Sequence, residues 1–313
     1  MLVDQASNEI YIPMNDLATG QQQGNLEIAN SILSEEAVLG FEYGVSVESP
    51  NNLAIWEAQF GDFFNGAQIM LDTFVCSGES KWGLQSSLTM LLPHGMDGAG
   101  PEHSSCRMER FLQMTDSKET EVDGDNVNWE IVNPSNAAQY YHLLRRQMVR
   151  NYRKPLVVVA PKVLLRLPGA ASTLQDMAPG TRFMPVLADP NVSTPSSVEK
   201  VIFTSGKHYY TLSKHIQENG IKNVAVLRIE SLCPFPAEKI QEEVKKFTKA
   251  KKFVWSQEEH RNQGAWSYME PRFRRLLGMD LEYVGRQELC QPAVGVGKVH
   301  QQEAAAILAK TFA

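Results

Sequence analysis

The sequence predicts an α/β fold of two domains built on mainly parallel sheets. Three observations point there. Short β-branched apolar runs recur through all 313 residues, amphipathic helical stretches alternate with them, and one Pro-rich interval interrupts the alternation.

The first set of runs, at 53–57, 88–92, 128–132 and 156–160, has the length and composition of buried strands. Helical patterns fall between them at about 34–46, 62–73, 104–115 and 135–150. The last has Ser135 as its expected cap and Ala138, Tyr141, Leu144 and Met148 on one expected face. Strand and helix in alternation imply parallel strands joined by right-handed crossovers. Six prolines between Pro161 and Pro195 then break any regular element, which predicts a linker over 161–197. A second alternation follows, with strands at 201–205, 224–229, 253–256 and 281–284. Helices are expected at about 207–219, 237–248, 265–277 and 299–311. The expected domains are therefore 1–160 and 198–313.

Composition excludes several classes. A net charge of -6 disfavours nucleic acid, whose phosphates require clustered cations. No apolar run approaches the roughly 20 residues of a membrane helix. Cys76, Cys106, Cys233 and Cys290 are scattered without metal-ligand spacing, as expected of free thiols in a reducing compartment. No basic leader opens the chain. The seven basic residues between Arg145 and Arg166, with no acid among them, read as a solvated or interface face.

Three constellations could carry chemistry. Ser34 can cap a helix with Glu35 and Glu36 in its first turn, an arrangement that either serves the helix dipole or presents a carboxyl to a ligand. At 56–64 a strand gives way to a helix through Gln59, Phe60 and Phe63, which form either a core corner or a wall for a flat heterocycle. At 91–105 a strand runs into a Gly- and Pro-rich loop with His94 and His103 at its ends, suited to proton transfer or to holding an anion. The separation of those histidines is not a zinc spacing.

In order along the chain, SEEAVLGFEYG, WEAQFGDFFNGAQ, LLPHG with GPEHSS, LLRRQ, RKPLVV, CPFP and WSQEE closely resemble the 2-oxoglutarate dehydrogenase family, in its thiamine-dependent decarboxylase component. The resemblance covers essentially the whole chain. SCRMERFLQM, LRLPGAASTLQDMAPGT and ILAKTFA are most similar to its 2-oxoadipate branch. The resemblance implies a transketolase-like pyrimidine-binding domain followed by a transketolase C-terminal-like domain. It also implies thiamine diphosphate as cofactor, with Mg²⁺ bound by an N-terminal domain outside this sequence, and an N-terminally truncated pyrimidine domain here. Decarboxylation of 2-oxoadipate or 2-oxoglutarate, reductive acylation of a lipoyl-bearing acyltransferase partner, a homodimer and a mitochondrial location follow from it. Without that domain the chain is expected to bind the cofactor weakly. The alternative is a non-catalytic chain that pairs with full-length subunits.

Residue by residue, the resemblance implies that Glu35 hydrogen-bonds the cofactor's aminopyrimidine, that Phe60 and Phe63 with Gln59 wall it, and that His103 faces the 2-oxo acid. His94 is a second active-site candidate. The role of Glu35 asks its carboxyl to keep a proton near neutrality, so an apolar pocket must outweigh the helix dipole.

Overall fold

The computed structural model describes residues 1–17, 23–31 and 33–313, in two units, Met1–Leu33 and Ser34–Ala313. In the first unit β1 (Leu2–Val3) pairs antiparallel with β2 (Ile10–Tyr11). The turn between them is held by Asp4, whose side chain accepts the Ala6 and Ser7 N–H groups at 2.7 Å each. Asn8 takes a positive φ of 60° there, as an Asn tolerates more readily than most residues.

The second unit carries two five-stranded sheets. In chain order the strands are β3 (Ile55–Glu57), β4 (Thr89–Pro93), β5 (Glu130–Val132), β6 (Leu156–Ala160), β7 (Val186–Leu187), β8 (Lys200–Thr204), β9 (Val224–Ile229), β10 (Ser231–Cys233), β11 (Lys252–His260) and β12 (Glu282–Arg286). The first sheet runs β10-β5-β6-β4-β3 and the second β12-β11-β8-β9-β7. Both are parallel except at one edge, where β10 and β7 are antiparallel. Interior strands such as β6 and β9 are apolar almost end to end, as strands covered on both faces must be.

All eight strands expected from the runs are present, within a few residues of their expected ends, although β11 continues to His260. Two further strands appear in the second unit. β7 lies inside the Pro-rich interval, which otherwise consists of short 3-10 turns such as Lys162–Leu165 and Leu174–Met177. β10 comes from the second half of the sequence but completes the first sheet, with Ser231 opposite Val132. One apolar core therefore passes through both sheets, from Phe64, Phe111 and Trp129 to Phe203, Trp255 and Phe273.

Three local expectations are corrected. The helix of the 135–150 region spans Ala137–Val149 and is capped by Asn136, whose side chain accepts the Gln139 N–H. Ser135 is withdrawn from that role because its N–H and hydroxyl both donate to the buried Glu230 carboxylate. The buried face holds Ala138, Gln139, His142, Leu143 and Gln147, and Tyr141 is exposed. The polar members of that face are satisfied inside, Gln139 by the Met184 carbonyl and Gln147 by that of Ser87, so hydrophobicity alone misplaces the phase. Finally, 104–115 is helical only over Met108–Gln113, after a 3-10 turn at Pro101–His103.

Glu230 links the sheets. It leaves β9 and receives Ser135, while Arg228 Nη1 donates to the Ser135 hydroxyl at 3.0 Å. Burial pushes the Glu230 carboxyl up, against the charge of Arg228 and these donors. Replacing Glu230 with Ala leaves the buried Ser135 N–H unpaired, which costs about 1–3 kcal/mol. Denaturant unfolding should show that loss for Glu230→Ala, and an unchanged midpoint would contradict the linkage.

Candidate active site

β3 ends at Glu57, and the chain turns through Phe60 into a 3-10 helix over Gly61–Ala67, followed by one α-helical turn and a π-helical turn at Leu71–Val75. A regular helix over 62–73 was expected. The difference decides the site, because a 3-10 helix has three residues per turn and eclipses positions three apart. Phe60, Phe63 and Gly66 consequently fall in one row. His103 packs edgewise onto it, 4.4 Å from the Phe60 ring and 6.0 Å from the Phe63 ring between centroids. Phe60 and Phe63 are themselves 5.9 Å apart.

Glu35 meets the other end of the row. Ser34 caps the helix Glu35–Glu48 by accepting the Ala37 N–H, which places Glu35 in the first turn facing Gly66. A Cβ at Gly66 would lie 3.4 Å from Glu35 Oε2. The Glu35 carboxyl is half-buried and no hydrogen bond or ion pair engages it among the described residues. Phe60, Phe63 and His103 thus cluster at one end of the row and Glu35 lies against Gly66 at the other, with Gln59 exposed beside Phe60.

His94 does not join them. It is 6 % exposed, and both ring nitrogens are engaged: Nδ1 accepts the Cys106 N–H at 3.2 Å and Nε2 meets Glu259 Oε1 at 2.8 Å.

Two residues not singled out by the sequence build the site. Asp62, in the first turn of the 3-10 helix, accepts the Ser104 and Ser105 N–H groups through Oδ1, at 3.4 and 3.2 Å. This carboxylate ties the aromatic row to the residues that follow His103. Burial nonetheless pushes Asp62 up, ahead of those donors. Its Oδ2 is buried without a partner among the described residues.

Lys162, just past β6, places its ammonium 4.5 Å above the Phe60 ring centroid and donates to the Gln59 carbonyl. No carboxylate pairs with it among the described residues. It also lines a cavity of about 480 Å³ whose walls include Leu91, Leu164, Leu165 and Tyr140. The row therefore offers flat rings, a free carboxyl, an imidazole and an unpaired cation, a set suited to an aromatic heterocycle beside an anion.

Residues 15–168 match the model of the transketolase pyrimidine-binding domain, and residues 171–312 match that of the 2-oxoglutarate dehydrogenase C-terminal region. The chain is thus of the class that joins those two α/β domains. It is 58% identical, over its whole length, to the 2-oxoadipate dehydrogenase complex component E1 of Danio rerio and to that of Homo sapiens, covering 34% of each. To the probable homologue of that component in Dictyostelium discoideum it is 50% identical over 99% of the chain and 35% of that protein. The chain belongs to the 2-oxoglutarate dehydrogenase family, and spans about a third of the length of the curated relatives it matches.

Asp62 makes a pH prediction. An acid whose folded pKa lies above its unfolded value of about 3.9 contributes stability below that value and loses it as pH rises through the folded pKa. Asp62→Asn, which keeps an acceptor for Ser104 and Ser105, should remove that loss. Thermal midpoints of wild type should fall relative to the variant as pH rises above about 4; parallel profiles would contradict the burial of a charge here.

The two glycines of the 3-10 helix should differ. A Cβ at Gly61 would lie 2.4 Å from the Pro93 carbonyl oxygen and 2.6 Å from the Cys106 Cβ, whereas at Gly66 it meets only the movable Glu35 side chain. Gly61→Ala should lower the melting temperature clearly more than Gly66→Ala. Equal effects would show that the turn does not depend on that close approach.

Proposed function

We propose that the complete protein is a thiamine-diphosphate-dependent decarboxylase of a 2-oxo acid, 2-oxoadipate first, that passes the acyl group to a lipoyl-bearing acyltransferase. The packing of Phe60, Phe63 and His103 on one another, with Glu35 against Gly66 three residues beyond Phe63, is the observation that carries this reading. The names of the relatives support the substrate and the membership of a complex. A mitochondrial location and a homodimer belong to the same proposal.

The residues fit the cofactor's pyrimidine end. Gly66 keeps the space beside Glu35 open, and a Cβ there would narrow it. Thiamine diphosphate, when bound, supplies the electron sink for loss of carbon dioxide. Its Mg²⁺ is assigned to another part of the complete protein, since no three His, Cys, Asp or Glu side chains are grouped to hold a metal ion among the described residues.

The chain's own groups then have distinct tasks. Glu35 holds a proton at its carboxyl for a ring nitrogen, and Phe60 and Phe63 bury the flat face of that ring and exclude water from it. His103, on the opposite side of the row, holds or moves a proton at its imidazole toward the oxo group. The Lys162 ammonium lies over Phe60 and favours an anion there.

In the complete enzyme Glu35→Gln should abolish turnover of 2-oxoadipate with the fold intact, because an amide fills the same volume but cannot exchange the proton. His103→Ala should lower kcat by about two orders of magnitude, the range for loss of a general acid or base, with cofactor affinity nearly unchanged. Normal turnover in Glu35→Gln would sink the cofactor assignment, and weakened cofactor binding with normal kcat in His103→Ala would reverse that residue's role. Preference of the wild type for 2-oxoglutarate would correct the substrate alone.

A further inference from the structure

We propose that Glu259, on the second sheet, is a positioning residue that sets the course of the His103 loop by fixing the tautomer of His94. The inference rests on the reading of His103 as the group that faces substrate.

His94 and Cys106 stand at the two ends of the loop that follows β4. The backbone closes the loop once, where the Gly95 N–H donates to the Ser104 carbonyl at 2.8 Å. The His94 ring closes it again, with Nδ1 accepting the Cys106 N–H at 3.2 Å. An imidazole nitrogen can accept that bond only while it carries no proton, so the ring hydrogen must sit on Nε2. Glu259 Oε1 lies 2.8 Å from Nε2 and selects that form. The other tautomer would set two hydrogens against each other at Cys106 and leave a buried carboxylate without its donor, an unfavourable pairing twice over. His94 and Glu259 are 6 % and 8 % exposed, so water cannot readily replace either bond.

Residues on the helices that cover the second sheet reach the loop at two more points. Lys207 Nζ binds Asp97 Oδ1 at 3.0 Å and Glu258 Oε1 at 2.6 Å. Burial would lower the Lys207 ammonium, but the two carboxylates keep it above its usual value. The His300 ring sits 3.3 Å from where a Gly98 Cβ would be. Between this grip and His103 lie Gly98 and Gly100, both at positive φ (78° and 90°), where few backbone restraints operate. Asp62 holds only the residues after His103. Glu259 therefore controls the side-chain connection, through His94 to Cys106, that ties both ends of the loop together.

Two measurements test this. In the complete enzyme, Glu259→Ala should lower kcat about tenfold or more, as displacement of a reacting group by a fraction of an ångström does, with KM and cofactor affinity within about twofold. Glu259→Gln, whose amide oxygen accepts the same Nε2–H, should recover most of that loss. In the 313-residue chain, long-range ¹H–¹⁵N correlation should show His94 Nδ1 unprotonated in wild type and in Glu259→Gln, and a tautomer mixture in Glu259→Ala. Equal kcat losses in both variants, a kcat loss no larger than the fall in folded fraction, or a protonated Nδ1 in wild type would each overturn the proposal. A wild-type enzyme inactive on every 2-oxo acid would sink the functional reading, while the tautomer measurement would still decide the role of Glu259.

Discussion

The site depends on how closely Gly61 is pressed between the Pro93 carbonyl and Cys106. With less than 3 Å available for any added carbon, the chain leaving β3 is clamped between both ends of the His103 loop. That contact joins two segments distant in sequence, the aromatic turn and the histidine loop, before any side chain of the row is considered. Asp62, the next residue, adds two hydrogen bonds in the same direction. The 3-10 helix starts from this clamp, and its period of three places Phe60, Phe63 and Gly66 along one line. In an α-helix the same residues would drift around the axis, and Glu35 beside Gly66 and His103 beside Phe60 would not stand at the two ends of one line.

Polar groups inside the molecule carry the support outward. Glu230 is held by Ser135 and Arg228 where the two sheets meet, and Glu259 is held by His94. A buried carboxylate that loses its donors is costly, so each link constrains the position of the segment it joins. The apolar core is continuous through both sheets, and supplies bulk stability without specifying the position of any one loop. The distinction matters for function: apolar packing tolerates small shifts of side chains, whereas a hydrogen bond between two buried groups fixes them to a fraction of an ångström.

Strands were legible in the sequence because parallel strands covered on both faces leave an unmistakable run of β-branched residues, as in β6 and β9. The antiparallel edges β7 and β10 are only two and three residues long and leave no such mark. Glu35, Phe60, Phe63 and His103 were legible as candidates through their order within resembling motifs; the structure packs Phe60, Phe63 and His103 together and sets Glu35 against Gly66. His94 was read from the same loop but points the other way, into Glu259. Asp62, Lys162 and Glu259 gave no signal, since each acts through a partner remote in sequence: 42 residues from Asp62 to Ser104 and 165 from His94 to Glu259. Ser135 shows the same limit in a local feature, where a residue of the right type to cap a helix is drawn off by a carboxylate 95 positions away.

The convergence of the row can be measured without any cofactor. Ring currents from Phe60 and Phe63 act on the His103 imidazole at the 4.4 and 6.0 Å separations found here. In the 313-residue chain, the carbon-bound imidazole protons of His103, identified by their loss in His103→Gln, should move when Phe60 is replaced by Leu. They should move by a smaller amount when Phe63 is replaced. Resonances unmoved by both substitutions would place His103 away from the row and contradict the account.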